Sequence, residues 1–265
     1  MGSQQNELLV ECSDGILRLT LNRPEARNAL TFNMYQTLAD FCMQAGTKHD
    51  NLGIKAIIIC GAGDKAFAAG TDIGQFTAFN TPQDGCNYEA RIEAVINTIE
   101  SCRVPVIAAL HGAVTGGGLV IAAASHIRLA SADVKIGMPI ARTLGNCLAI
   151  NNLRRLVALF GEARVAHMIL TAELLSADQA LASGFVHDVL GNRDCLMLSA
   201  MELAKRMTEM APLTIQSSLE GLRRLRHATA CPDDSDLIEA CYHSDDFAEG
   251  VSAFLEKRKP HWRGR

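Results

Sequence analysis

Aromatic residues are scarce in this chain of 265 residues: Phe, Tyr and Trp make up 5%, with three tyrosines and one tryptophan. The core is therefore expected to be built mainly of aliphatic side chains and alanine. No C-x-x-C pair occurs among the nine cysteines, and no zinc-ligand spacing is present. The odd count, with several cysteines inside apolar runs, argues against a disulfide framework and for reduced thiols in a cytoplasmic protein. An excess of basic charge is also missing: 25 Lys and Arg face 29 Asp and Glu, a net charge of −4. That excludes broad electrostatic capture of nucleic acid or an anionic membrane, while a local basic patch for a phosphate stays open. No apolar run approaches the roughly 20 residues that span a bilayer. Val104 to Leu110 and Leu119 to Ala124 are among the longest. The N-terminal residues lack the basic and apolar regions of a signal peptide, so none is expected.

What is present is an alternation of strand and helix signals. Leu8–Cys12 and Ile16–Leu21 flank Asp14-Gly15, a hairpin signature. Met34, Leu38, Phe41 and Ala45 recur at helical spacing, and Ile54 to Cys60 is a run rich in β-branched isoleucine expected to be a buried strand. Residues 65–81 read as an irregular loop. Residues 83–101 read as a helix with Tyr88, Ile92, Val95 and Ile99 on one face. Val104–Leu110 predicts another buried strand, Gly116-Gly117-Gly118 leads into a small-residue helix, and short strands follow at 127–130 and 134–136. From residue 147 the pattern is helical, with a capping box at Ser176-x-x-Gln179 and Pro212 placed to open a helix. An α/β core followed by a helical region is the expected organisation.

Five segments, in order, carry more than this. They are Asn22-Arg23-Pro24-Glu25-Ala26-Arg27-Asn28-Ala29-Leu30, Lys65-Ala66-Phe67-Ala68-Ala69-Gly70-Thr71-Asp72-Ile73, Pro105-Val106-Ile107-Ala108-Ala109-Leu110-His111-Gly112, Thr115-Gly116-Gly117-Gly118, and the stretch from Asp246 to Arg258. Together they resemble the crotonase superfamily, the enoyl-CoA hydratase/isomerase family, from about residue 8 to 260. The resemblance implies an α/β fold: a crotonase spiral of ββα repeats over residues 1–200 and a C-terminal helical trimerisation region over 201–265. It also implies a homotrimer or a dimer of trimers, and an acyl-CoA thioester as ligand. Coenzyme A would enter as part of the substrate, and no separate cofactor or metal is expected.

The resemblance puts two catalytic backbone donors on the N–H groups of Thr71 and Gly117, gripping the thioester oxygen as negative charge develops on it. It puts Arg27, Ala29, Ala69, Asp72, Ile73 and Gly74 along the channel for the coenzyme A moiety, with Asp72 structural or at the pocket edge. A plain packing role for the three glycines, letting helix and strand approach closely, is the alternative. The resemblance also exposes a departure. The family's two catalytic glutamates match Val120 and Ile140 here, in Leu119-Val120-Ile121 and Met138-Pro139-Ile140. Losing one general acid–base group typically costs about 10²–10⁴-fold in rate. Efficient enoyl-CoA hydration is therefore not expected, although a conventional hydratase and a non-catalytic acyl-CoA binder remain as alternatives.

The remaining polar residues offer substitute groups. Arg142 would either bind a substrate carboxylate or face solvent, and Asn146 would either orient a water or cap the next helix. Cys147 is expected to be a buried thiol. Glu89 and Glu93, four apart on one helix face, are expected on a solvated surface, with entry of one into the pocket mouth as the alternative. His111 is expected to be a hydrogen-bonded turn histidine and His126 structural. Lys257, Arg258, Lys259, Arg263 and Arg265 form a basic tail that either meets nucleotide phosphates or is solvated.

Overall fold

The computed structural model describes residues 6–210, 212–226, 239 and 242–261. Two strands, β1 (Leu8–Ser13) and β2 (Ile16–Leu21), pair antiparallel across Asp14 and Gly15. Both turn residues have positive φ, 53° and 75°, as a tight hairpin turn requires. After helix α1 (Phe32–Gln44) the chain settles into a repeating course. Strands β3 (Ala56–Gly61) and β4 (Ala66–Ala69) are followed by α2 (Pro82–Glu100). Then come β5 (Val106–Leu110), β6 (Ala113–Thr115) and α3 (Gly117–Ala124). A third pass supplies β7 (Ile127–Ser131) and β8 (Lys135–Gly137).

Each pass leaves one strand in each of two sheets. With β9 (Asp188–Leu190) at its edge, the six-stranded sheet runs β1-β2-β3-β5-β7-β9, parallel from β2 onward, and the three-stranded sheet runs β4-β6-β8, also parallel. This is the spiral of ββα repeats expected from the resemblance. The continuous apolar run of β3 follows from its central place, because helices cover both faces of a parallel sheet. On one face Leu196, Ala200 and Ala204 of α8 (Arg193–Thr208) pack on Ile58, Cys60 and Ile107. On the other lies the main core, which includes Ile57, Ile59, Val106 and Ala108.

The second half is mostly helical: α4 (Ile140–Thr143), α5 (Ile150–Phe160), α6 (Glu162–Thr171), α7 (Ala177–Ala182), α8, α9 (Pro212–Arg226) and α10 (Asp245–Leu255). Two expectations are corrected. Residues 65–81 are not one irregular loop: they hold β4 and a 3-10 turn at Ile73–Ala78. Four residues of Ala and Phe, three of them fully buried, show no alternation from which a strand could be read. The region beyond 147 is not helical throughout either, because β9 (Asp188–Leu190) extends the large sheet beside β7. Its three residues are too few to display a period. The capping box at Ser176 and Gln179 is formed, and Pro212 opens α9 as anticipated.

Candidate active site

The segment Arg23 to Leu30 is locked by a single buried side chain. Asn28 accepts from Arg23 N through Oδ1 at 3.0 Å, and its Nδ2 donates to Ala62 O and Ala66 O at 2.9 and 2.7 Å. Arg27 and Asn28 both adopt the left-handed conformation, with φ of 51° and 56°. That bend lays Leu30 alongside the chain after β4: Leu30 N donates to Gly70 O, and Asp72 N donates to Leu30 O. In such a parallel pairing the residue between the two bonded positions turns its own amide the other way. The Thr71 N–H therefore faces away from Leu30.

On that other side stands the glycine triplet. Each glycine meets a different steric demand. Gly116 has φ of 52° and ψ of −124°, a region open in practice only to glycine. A Cβ on Gly117 would lie 2.0 Å from the Tyr35 hydroxyl and 3.1 Å from Thr71 Oγ1. One on Gly118 would lie 2.3 Å from the Ala68 carbonyl oxygen of β4. Gly118 thus serves close packing, whereas Gly117 leaves room beside Thr71. Gly117 is also the first residue of α3, where a backbone N–H has no acceptor within the helix and the helix dipole favours negative charge.

These groups line a cavity of about 790 Å³, mostly apolar, large enough for an extended ligand. Arg27, Ala29, Ala69, Thr71, Asp72, Ile73 and Gly117 are all at its wall, as are Val120 and Ile140. Gly74 lies outside the wall and donates its N–H to Asp72 Oδ1 at 3.0 Å. Asp72 also pairs with Arg23 at 2.7 Å, so its carboxylate holds the loop. Lys257 reaches the wall, while Arg258 is engaged by Glu249 and Glu256. Arg263 and Arg265 lie outside the described residues.

The Thr71 hydroxyl joins two phenols, at 2.9 Å from Tyr35 Oη and 3.0 Å from Tyr88 Oη. Burial pushes both phenols well above their ordinary range, so they stay protonated and serve as fixed hydroxyls. Next to them lies Glu89, and here the solvated-face expectation is corrected. Glu89 is 5% exposed, lines the cavity and accepts from the Tyr242 hydroxyl at 2.6 Å. Glu93 is covered too, paired bidentately with Arg155 of α5 at 2.8 Å. A signal was present in the sequence: Glu89 falls within the buried stripe Gly85, Tyr88, Ile92, Val95, Ile96, Ile99 of α2. Its partners, Tyr242 and Arg155, come from distant parts of the chain and leave no local trace.

The remaining candidates divide simply. Arg142 is exposed and away from the cavity wall. Asn146 does not cap a helix, because α5 opens at Ile150 after Ala149. It lines the cavity, with Oδ1 buried and without a hydrogen-bond partner among the described residues. Cys147 is half-buried at the wall. His111 is buried and bonded to Gly63 O at 2.9 Å, the turn role expected of it. His126 accepts from Val106 N at 2.9 Å, a structural role. Among the described residues no group of three or more His, Cys, Asp or Glu is arranged to hold a metal ion, and no helix is long and apolar enough to cross a membrane.

The family model for enoyl-CoA hydratase/isomerase matches residues 11–265. The short-chain-enoyl-CoA hydratase of Clostridium acetobutylicum is 32% identical over 257 residues, covering 96% of each chain. Among solved structures, a methylmalonyl-CoA decarboxylase in complex with 2-nitronate-propionyl-CoA superposes with a TM-score of 0.85 at 27% identity, over 98% of this chain and 99% of that one. An enoyl-CoA hydratase/carnithine racemase from Magnetospirillum magneticum gives 0.77 at 30% identity, over 99% and 97%.

Proposed function

The chain belongs to the enoyl-CoA hydratase/isomerase family, and on that premise we propose that it binds an acyl-CoA thioester and stabilises its enolate between the N–H groups of Thr71 and Gly117. The observation that carries this reading is the meeting of the Thr71 segment and the first turn of α3 at one cavity wall. Two fixed backbone donors at a developing oxyanion suit the chemistry. Each is typically worth about 2.7–4 kcal/mol in the transition state, because no reorganisation is needed when the charge appears. In this proposal Arg27, Ala29, Ala69, Asp72, Ile73 and Gly74 form or support the coenzyme A channel, and the coenzyme is part of the substrate.

Val120 and Ile140 occupy, in this reading, the positions of the family's two catalytic glutamates. Neither side chain moves a proton or holds a water. Chemistry that needs the oxyanion hole more than a water-activating pair is favoured, and loss of carbon dioxide from a malonyl-type thioester is of that kind. The likeness to a methylmalonyl-CoA decarboxylase supports this choice. The named hydratase relative favours a second reading, conventional hydration. The proposal extends to a homotrimer or dimer of trimers in the cytoplasm.

One panel separates the readings. Crotonyl-CoA, a β,γ-enoyl-CoA and a malonyl-type CoA are incubated with the protein, and products are followed by mass spectrometry. The expected result is conversion of the malonyl-type ester with little hydration of crotonyl-CoA. Rapid crotonyl-CoA hydration would sink the assignment of Val120 and Ile140. Micromolar binding with no turnover of any ester would leave an acyl-CoA carrier instead of an enzyme.

A further inference from the structure

The chain has three tyrosines, and all three gather around one part of the cavity. Tyr35 and Tyr88 are joined through the Thr71 hydroxyl, and Tyr242 holds Glu89. Phe76 closes the group edge-on against Tyr88, with ring centroids 4.9 Å apart. A carboxyl group in such surroundings is shielded from bulk water and held in one orientation by a phenol hydrogen bond.

Two further carboxylates reach the cavity wall, and neither is suited to proton transfer at a bound acyl chain. Glu25 is exposed in the 3-10 turn Pro24–Ala26. Asp72 is committed to Arg23 and to the N–H of Gly74. Glu89 alone among the described wall residues combines a buried carboxyl with closeness to the Thr71 and Gly117 pair. Its charge is felt at the Tyr35 phenol, whose oxygen lies against both.

Resting on the acyl-CoA reading above, we propose that Glu89 is the acid–base residue of this site and transfers a proton at the α-carbon of the bound thioester. In one direction the α C–H bond breaks and a carboxyl O–H bond forms. The electron pair moves into the thioester as an enolate, whose oxygen rests on the two backbone N–H groups. The reverse step returns a proton to the same carbon. No electrons leave the substrate and no co-reactant is required. The residue thus supplies from α2 what Val120 and Ile140 lack.

Among the described residues, the titratable groups around Glu89 are Cys86, Tyr88 and Glu93 on its own helix, Tyr35 from α1, Tyr242 ahead of α10 and Cys147 at the cavity wall. Arg155 of α5 is taken up by Glu93 and Glu100. A pH limb in the reaction therefore reports chiefly the carboxyl, since the phenols ionise far higher.

The test uses butyryl-CoA in deuterated water. Binding is measured by calorimetry and α-proton exchange by mass spectrometry, across a pH series, for the native protein, Glu89→Gln and Tyr242→Phe. Expected are binding within about threefold for both variants, and exchange slowed about 10²-fold or more in Glu89→Gln with loss of the acidic limb. Tyr242→Phe should keep the limb but move it to higher pH, because the carboxylate has lost a donor that favours its charged form. The Tyr242→Phe result carries the test should Glu89→Gln fail to fold. Exchange in Glu89→Gln within threefold of native, or an unmoved limb in Tyr242→Phe, overturns the assignment. Native protein that binds butyryl-CoA without exchanging its α-protons overturns it as well, leaving the acyl-CoA reading intact. Absence of acyl-CoA binding in the native protein removes both.

Discussion

His126 has an acceptor role that depends on its being neutral. Nδ1 receives the Val106 N–H at 2.9 Å, which places the ring proton on Nε2, near Glu100 O. Burial drives its pKa from the ordinary value near 6.5 down to about 4, and Arg226 and Arg128 push the same way. The unfolded chain therefore binds a proton between those values that the folded chain refuses. The stabilising contribution is complete above pH 6.5 and is lost as pH falls toward 4. It amounts to at most about 3 kcal/mol, less to the extent that water reaches the ring. Urea unfolding of the native protein and His126→Gln should show a gap that narrows steadily from pH 7 to pH 4. A constant gap would remove the linkage. At this scale the sequence was informative about types and less so about settings. The glycine triplet was legible because its steric demands exclude a side chain. Glu89 was misjudged, because a glutamate on a helix is ordinarily solvated. Tyr242, far along the chain, bonds it in its buried place.

Among elements, α5 meets α2 through a buried polar network. Arg155, 1% exposed, sends Nε to Glu100 at 3.0 Å and both terminal nitrogens to Glu93 at 2.8 Å, with Asn152 as a further acceptor. Arg226 of α9 also reaches Glu100. The network ties three helices behind the cavity wall, to which Asn152 belongs. Truncating the shared cation takes the guanidinium from Glu93 and leaves buried Glu100 to Arg226. Arg155→Ala is accordingly expected to destabilise the fold by about 3–5 kcal/mol, read as a lower urea midpoint. A loss below 1 kcal/mol would mean that water takes over the role of the guanidinium. Helices were legible where an apolar stripe had length to repeat, as in α2. The strands β4 and β9 were not, since three or four residues carry no period and their identity comes from the neighbours that bond them.

For the whole molecule, the spiral brings segments from residue 25 to residue 257 to one cavity. Outside it, α9 presents Leu222 and Leu225, 59% and 76% exposed, on a helix otherwise rich in arginine. Exposed leucines at this spacing suit the proposed trimer, in which the C-terminal helices meet. Analytical ultracentrifugation should give three or six times the chain mass, and Leu222→Glu with Leu225→Glu should shift it toward the monomer. A native protein that sediments as a monomer would contradict the assembly. What the sequence by itself determined is the family and the fold class. Those rest on glycines, β-branched runs and ordered motifs, whose steric demands act within a few residues. Only the tertiary structure decided which side chains share the cavity. Burial of Glu89, its bond to Tyr242 and the joining of Tyr35 to Tyr88 through Thr71 depend on packing between elements that no local pattern encodes.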